Sequence, residues 1–372
     1  MKKKALIAMS GGVDSSVAAK EMLNMGYDCC GCTMRLLPAG AYETPSQGPD
    51  ASPAGNADDP SKDAEKVCRA LGIPFFSLDL CSEFHKNVIL RFVSAYEKGL
   101  TPNPCIDCNR TMKFGLLLEH ARREGYDALV TGHYARTEQD KDGRFLLKKA
   151  LDPSKDQSYV LYNLTQEELS VIRFPLGSLT KARVRELAAA SGFINAQKKE
   201  SQDICFVPDG DYAGMIQALS GRQYEPGNFV DLTGRVLGTH RGIIHYTIGQ
   251  RKGLNIAFGT PKYVYRIIPE RNEVVLADNE ELYDDTVHVT DFNWINGPPK
   301  GEFRCSVKIR YRQCEQPALI IPEGDRAVTI KLESPQRAVT PGQAAVLYAG
   351  DTVLGGGTIT RQTNVLHGAA DN

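Results

Sequence analysis

Ala5-Leu6-Ile7-Ala8-Met9-Ser10-Gly11-Gly12-Val13-Asp14-Ser15-Ser16 is the stretch on which the fold turns. Its first five residues are continuously apolar, as in a parallel strand covered on both faces. Gly11 and Gly12 let the backbone turn tightly and approach a ligand, and Ser15 or Ser16 can cap a helix. That helix reads from Ser15 to Met25, with Ala18, Met22 and Met25 on one face and Gly26 as its stop. A helix N-terminus offers unpaired N–H groups and partial positive charge, which suits an anion. A Gly-Gly turn alone is often structural; the strand before it and Asp14 and two serines after it point to phosphate. No Gly-Lys-Ser/Thr follows, so this is not a Walker A loop and lacks a lysine for the terminal phosphate. Asp14 is suited to hold Mg2+ on the phosphates.

Outward from this loop, strands and helices alternate. Cys29–Met34 reads as a second strand, Asp63–Leu71 as a helix and Pro74–Leu78 as a strand. Helices follow near Glu83–Lys98 and Met112–Glu124, separated by an irregular Pro-rich loop. Ala128–Thr131 reads as a strand, and a helix over Thr180–Ser191 ends at Gly192. Residues 37–62 are rich in Pro, Gly, Ala, Ser and Asp without periodicity, the pattern of a surface loop. The alternation implies an α/β, doubly wound parallel sheet. Beyond about residue 206, short apolar runs such as Val264–Ile268, Ala327–Leu332 and Ala344–Tyr348 take over. They indicate a small linking module and then a β-barrel. The expected domains are 1–205, 206–278 and 279–366.

Composition narrows the class. The 372 residues are 42% hydrophobic and 24% charged, as in a globular protein of several domains. No apolar run approaches the roughly 20 residues of a membrane span. The basic start Met1-Lys2-Lys3-Lys4 precedes too short an apolar run for an export signal, so the expected location is cytoplasmic, with no membrane partner. A net charge of −1 argues against a sequence-blind polyanion binder, but a local basic strip is enough for RNA.

Ten cysteines without an export signal suggest buried thiols, metal ligands or catalysis rather than disulfides. Cys105 and Cys108 form a Cys-x-x-Cys in the stiff run Thr101-Pro102-Asn103-Pro104-Cys105-Ile106-Asp107-Cys108-Asn109, and Cys205 stands in Ser201-Gln202-Asp203-Ile204-Cys205-Phe206. One Cys-x-x-Cys fits half a zinc site, a redox pair or cluster ligands. With no second such pair, a closed zinc site is disfavoured. Cys29, Cys30, Cys32, Cys68, Cys81, Cys305 and Cys314 read as small buried hydrophobes.

Ser10–Ser16 resembles the loop of the PP-loop ATP pyrophosphatases, which cleave ATP between the α- and β-phosphates. With the two cysteine strings, Thr131-Gly132-His133-Tyr134-Ala135, Lys155-Asp156-Gln157-Ser158-Tyr159, Ile248-Gly249-Gln250-Arg251-Lys252-Gly253 and Arg310-Tyr311, the chain resembles the tRNA-specific 2-thiouridylases along nearly its whole length. The resemblance implies ATP-dependent adenylation of the carbon-2 oxygen of the wobble uridine, then sulfur transfer, in tRNAs for Lys, Glu and Gln. It assigns ATP to Ala8, Met9, Ser10, Gly11, Gly12, Val13, Asp14, Ser15, Met34 and Gly132. It assigns tRNA to Asn103, Pro104, Cys105, His133, Lys155, Asp156, Gln157, Arg310, Tyr311 and Gln343. It implies a sulfur-donor partner such as a cysteine desulfurase or a sulfur relay protein.

In the family's persulfide scheme, the residue matching Cys205 carries the sulfur and the one matching Cys108 then closes a disulfide with it. Many members have Asp where Cys105 stands. Three cysteines here, Cys105, Cys108 and Cys205, open a second route: a 4Fe–4S cluster with one iron left free for sulfide. Arg310 and Tyr311 offer a guanidinium and a stacking ring for a splayed base. Lys148-Lys149, Lys198-Lys199 and Arg122-Arg123 are candidate phosphate contacts. Two other readings compete: a PP-loop enzyme acting on a small metabolite, and a non-enzymatic metal or redox sensor.

Overall fold

The computed structural model describes residues 2–38, 60–196, 204–207, 210–256 and 259–361. Most of the expected loop over 37–62 lies outside them, as do Lys198, Lys199, Ser201, Gln202, Asp203 and the last residues of the expected barrel range. The chain forms two compact units. The first holds Met1–Val93, Pro104–Ser220 and Gly350–Leu354; the second holds Ser94–Asn103, Gly221–Ala349 and Gly355–Asn372.

The first unit is built on a parallel sheet of β1 (Lys4–Ala8), β2 (Asp28–Arg35), β3 (Phe75–Asp79), β4 (Ala128–Val130) and β7 (Ile172–Arg173), in the order β3-β2-β1-β4-β7. Helices α1 (Val13–Asn24), α2 (Pro60–Leu71), α3 (Leu118–Arg123) and α4 (Lys181–Ala190) belong to the same unit. Ala5, Leu6 and Ile7 of β1 are fully buried, which is why the strand reads apolar without alternation. Helix α1 turns Val17, Ala18 and Met22 into the core, and α2 adds Ala64, Val67 and Cys68. Cys29, Cys30, Cys32 and Cys68 are buried, as their small apolar reading requires, whereas Cys314 is exposed. Gly31 makes room for one of them: a Cβ there would sit 2.3 Å from Cys68 Sγ.

The chain runs from β1 outward to β2 and β3, then crosses to β4 on the other side of β1. The crevice at the carboxyl ends of β1 and β4 is therefore the topological switch point, where open α/β sheets bind ligands.

Several elements depart from the sequence reading, among them helices over Gln166–Val171 and Tyr212–Ser220, and two more lie near the motif residues. The Pro-rich run is not irregular after Asn103. Pro104 starts a helical turn (Pro104–Asp107), which continues as a π-helix over Cys108–Leu117 before α3. Proline suits a first helical position, where its missing N–H is no loss. Another departure is a hairpin of β5 (Ala135–Gln139) and β6 (Phe145–Lys149), in a stretch to which the sequence reading assigns no element.

The second unit is β-rich, as expected. One sheet has the order β10-β11-β8-β9, from β8 (Gly227–Val230), β9 (Val236–His240), β10 (Tyr263–Ile268) and β11 (Glu273–Ala277). The other is an antiparallel barrel of β12 (Tyr283–Trp294), β13 (Phe303–Lys308), β14 (Gln316–Pro322), β15 (Ala327–Arg337), β16 (Ala344–Ala349) and β17 (Thr352–Ile359). Its order is β12-β15-β14-β13-β16-β17, and pairing of Val289 with Ile359 closes it. Val287, Val289, Ile320, Ile330 and Leu347 fill it.

Candidate active site

The phosphate loop is tightly made. Gly11 has φ 69°, a conformation glycine adopts without strain, and Gly12 is the N-cap of α1. Ser15 and Ser16 do not cap the helix end from outside as expected; both hydroxyls donate back to Gly12 O at 3.0 Å. Ser10 N donates to Ser15 Oγ at 3.2 Å, which ties the loop to the first turn of the helix. From the neighbouring strand, Gly132 comes so close that a Cβ would sit 2.9 Å from Ser15 N. Ala8 ends β1, Met9 follows it, and Met34 stands near the carboxyl end of β2, on the side of the sheet where the switch point lies.

Three side chains missed by sequence reasoning also converge on this loop. Lys181, the first residue of α4, is buried, and its Nζ donates to Asp14 Oδ1 at 2.7 Å and Oδ2 at 2.9 Å. The Tyr134 hydroxyl donates to the same Oδ1 at 2.8 Å. Asn195 Nδ2 donates to Gly11 O at 3.0 Å and to Ser16 Oγ at 2.9 Å. These partners lie 120 to 184 residues from the loop in sequence, so no local pattern announces them.

The motif cysteines sit in the same unit. Cys105 and Cys205 are solvent-exposed and Cys108 is half-buried. Phe206 stacks edge-on against Phe84 and Phe92, and Val207 is fully buried, so the Ile204–Val207 turn is pinned beside an accessible Cys205. The protein around them nevertheless desolvates all three thiols. Burial pushes the Cys205 thiol up to about 12, and Cys108 and Cys105 push it the same way while Lys113 opposes them. Burial raises Cys108 and Cys105 too, again against Lys113. The three thiols and one ammonium therefore share an electrostatic neighbourhood. Asp107 raises Cys108 further and is ion-paired to Arg91 at 3.2 Å. Among the described residues, no three Cys, His, Asp or Glu side chains form a metal-holding group, so in this conformation the thiols are not a preformed cluster site.

Residues 3–209 match a family model described as tRNA methyl transferase HUP domain. Residues 216–278 match its PRC-barrel domain, and 284–359 match an aminomethyltransferase beta-barrel domain. Full-length relatives carry a different chemistry in their names. The tRNA-specific 2-thiouridylase MnmA of Geotalea uraniireducens is 47% identical over 98% of this chain and 96% of its own. That of Chloroflexus aurantiacus is 47% identical over 96% and 98%, and that of Lachnoclostridium phytofermentans is 46% identical over 96% and 100%. The chain belongs to the tRNA-specific 2-thiouridylase family. A solved 4-thiouridine synthetase–RNA complex with bound ATP is far more distant, with 18% identity and a TM-score of 0.35 over 59% of this chain and 50% of that one.

The remaining residues that the thiouridylase resemblance singles out divide between the two units. In the first, His133 is buried, with Nδ1 at 2.8 Å from Thr131 Oγ1 and Nε2 at 3.4 Å from Lys113 Nζ. Burial, then Lys113, holds its pKa well below the usual 6.5. With an ammonium on Nε2, the neutral ring carries its proton on Nδ1 and donates to Thr131. Gln157 Oε1 accepts from Tyr134 N at 3.0 Å, and Asp156 Oδ1 accepts from Ala150 N and Ser158 N at 3.1 Å. Lys155 N donates to Asp152 O at 3.1 Å in the same turn. Pro104 is buried in the turn that presents Cys105. Lys148 is paired with Glu138 and Asp351, and Arg122 with Glu167. In the second unit, Arg310 donates to Ala338 O at 2.7 Å and Thr340 Oγ1 at 2.6 Å, and Gln343 Nε2 donates to Thr101 O at 2.7 Å, near Asn103. Tyr311 is 38% exposed, with Lys308 Nζ 6.0 Å from its ring centre.

Proposed function

We propose that this chain makes 2-thiouridine in tRNA, activating carbon 2 of a uridine with ATP and then transferring sulfur to it. The observation that carries this reading is one compact unit holding both a phosphate loop at the sheet's switch point and the cysteines Cys105, Cys108 and Cys205. The identity of nearly 50% to full-length thiouridylases supports it and sets aside the small-metabolite and non-enzymatic sensor readings.

In the first step the uridine O2 attacks the α-phosphorus of ATP. The bond to the bridging oxygen breaks, pyrophosphate leaves with the electron pair, and the uridine N3 proton is lost to solvent. The Ser10–Ser16 turn and Gly132 hold the nucleotide, with Ala8, Met9 and Met34 around the adenosine. Asp14 is the carboxylate that would hold Mg2+, which would neutralise phosphate charge there. In the second step a Cys205 persulfide, loaded by a sulfur-donor protein, attacks carbon 2 through its terminal sulfur, and AMP leaves with its bonding pair. Cys108 then attacks Cys205 Sγ, forming the Cys108–Cys205 disulfide and leaving the electron pair on the sulfur of 2-thiouridine. A thiol reductant restores both cysteines.

The raised thiols run against the lowered pKa that thiolate chemistry needs, and Lys113 is the cation that opposes the rise at all three. His133, Lys155, Asp156 and Gln157 lie in the unit that carries the thiols, while Asn103, Arg310, Tyr311 and Gln343 extend the RNA surface in the second. The wobble position and the tRNAs for Lys, Glu and Gln follow the resemblance. A second reading, in which Cys105, Cys108 and Cys205 hold a 4Fe–4S cluster, draws on Cys105 standing where many members of the family have Asp.

The test is to incubate the enzyme with ATP, tRNA and a persulfide donor and to analyse digested tRNA by mass spectrometry. The expected result is 2-thiouridine with one AMP and one pyrophosphate each; ATP consumption without 2-thiouridine overturns the reading. Anaerobic purification with iron and sulfide analysis separates the two sulfur routes: equal thiolation without iron excludes the cluster.

A further inference from the structure

The loop Ser10–Ser16 contains no cation to meet a triphosphate. One stands beside it from another part of the chain. Lys181 opens α4, whose start is fixed by Thr180 accepting from Arg183 N at 3.3 Å and by Asp152 Oδ2 accepting from Lys181 N at 3.0 Å. The side chain runs through protein to Asp14, in the first turn of α1, and its Nζ lies 5.6 Å from the centre of the Tyr134 ring. Asp14 remains more open, with its side chain 31% exposed against 9% for Lys181. A buried ion pair is weak evidence for stability, because well-packed apolar residues of similar volume are often as good or better. Stability alone therefore does not account for burying an ammonium at a phosphate loop.

We propose that Lys181 is the phosphate-binding cation of this ATP site, held by Asp14 until nucleotide arrives and then donating to the β- and γ-phosphates while Asp14 turns to Mg2+. The inference rests on the ATP reading above. The lysine stem is flexible enough for a shift of a few ångströms, and Tyr134 keeps a donor on Asp14 throughout. When the bond between the α-phosphorus and the bridging oxygen breaks, the leaving pyrophosphate gains the electron pair. The Lys181 ammonium neutralises that charge and keeps its own protons.

The test compares affinities for α,β-methylene-ATP and for AMP, with Mg2+, by calorimetry on the full chain and its Lys181→Met and Lys181→Arg variants. A charged hydrogen bond contributes roughly 10- to 100-fold in affinity. Lys181→Met is expected to weaken the triphosphate analogue by about that factor and AMP by less than about twofold, with Lys181→Arg in between. A purely structural pair would weaken both ligands alike or neither, and either result overturns the proposal. If the wild-type chain binds neither nucleotide, the ATP reading falls and the inference with it. Should Lys181→Met fail to fold, a wild-type structure with the analogue decides. Lys181 Nζ within hydrogen-bond distance of a β- or γ-oxygen supports the proposal; Nζ still closed on Asp14 and remote from the phosphates refutes it.

Discussion

His133 shows how a single side chain links protonation to the fold. Its ring is packed against Phe114 and Phe174, with centroids 5.9 and 6.0 Å away, and its nitrogens face Thr131 and Lys113. The folded chain keeps the ring neutral, while the unfolded chain takes up a proton near pH 6.5. The unfolded state thus binds more protons below that pH, and the stability present above it is lost as pH falls. Urea denaturation between pH 7.5 and 5.5 should show His133 removing up to about 1.4 kcal/mol per pH unit below 6.5. A His133→Gln variant should have a shallower slope; parallel slopes would contradict the account. The sequence marked His133 as near the base, but not its neutral state, because that depends on Lys113 and two rings brought in by other elements.

At the scale of elements, Gly132 separates the end of β4 from the phosphate loop. Gly132→Ala would place a Cβ 2.9 Å from Ser15 N and 3.0 Å from Asp14 C, both backbone atoms that cannot swing away. The expected cost is about 1–3 kcal/mol in stability, with weakened ATP binding; calorimetry showing wild-type ATP affinity would refute the close approach. Phe206 pins the turn bearing Cys205, so Phe206→Ala should cost about 3–5 kcal/mol and slow thiolation while leaving ATP binding intact. Chemical denaturation and a thiolation assay check both halves. The phosphate loop was legible in the sequence because strand, glycine turn and helix are contiguous there. The helix over Met112–Glu124 was legible too, but its start at Pro104 was not, since the π-helical turn breaks the 3.6-residue period by which helices are recognised and Pro104 read as a loop residue. The β5–β6 hairpin carried a usable signal, Asp142-Gly143 between two short runs, that went unread.

Over the whole molecule, two kinds of information were readable to different degrees. Parallel sheet, β-rich second half and barrel all follow from local periodicity. The pairing of Lys181 with Asp14, 167 residues apart, does not, because only the closed fold creates it. The proposed RNA contacts Arg310, Tyr311 and Gln343 belong to a chain with net charge −1, so a local surface rather than a global field would hold RNA. Tyr311→Ala is expected to raise the KM for tRNA by about tenfold, the contribution of one stacked base, without changing ATP-only binding; an unaltered KM would remove Tyr311 from that surface. In the proposed reaction, ATP activation and thiol chemistry are successive steps of one site. This sequence of steps is tested most directly by counting pyrophosphate and 2-thiouridine per tRNA in a single turnover of the wild type and of Cys205→Ser. The wild type should give one of each, and Cys205→Ser should release pyrophosphate with no 2-thiouridine. Formation of 2-thiouridine by Cys205→Ser at the wild-type rate would contradict it.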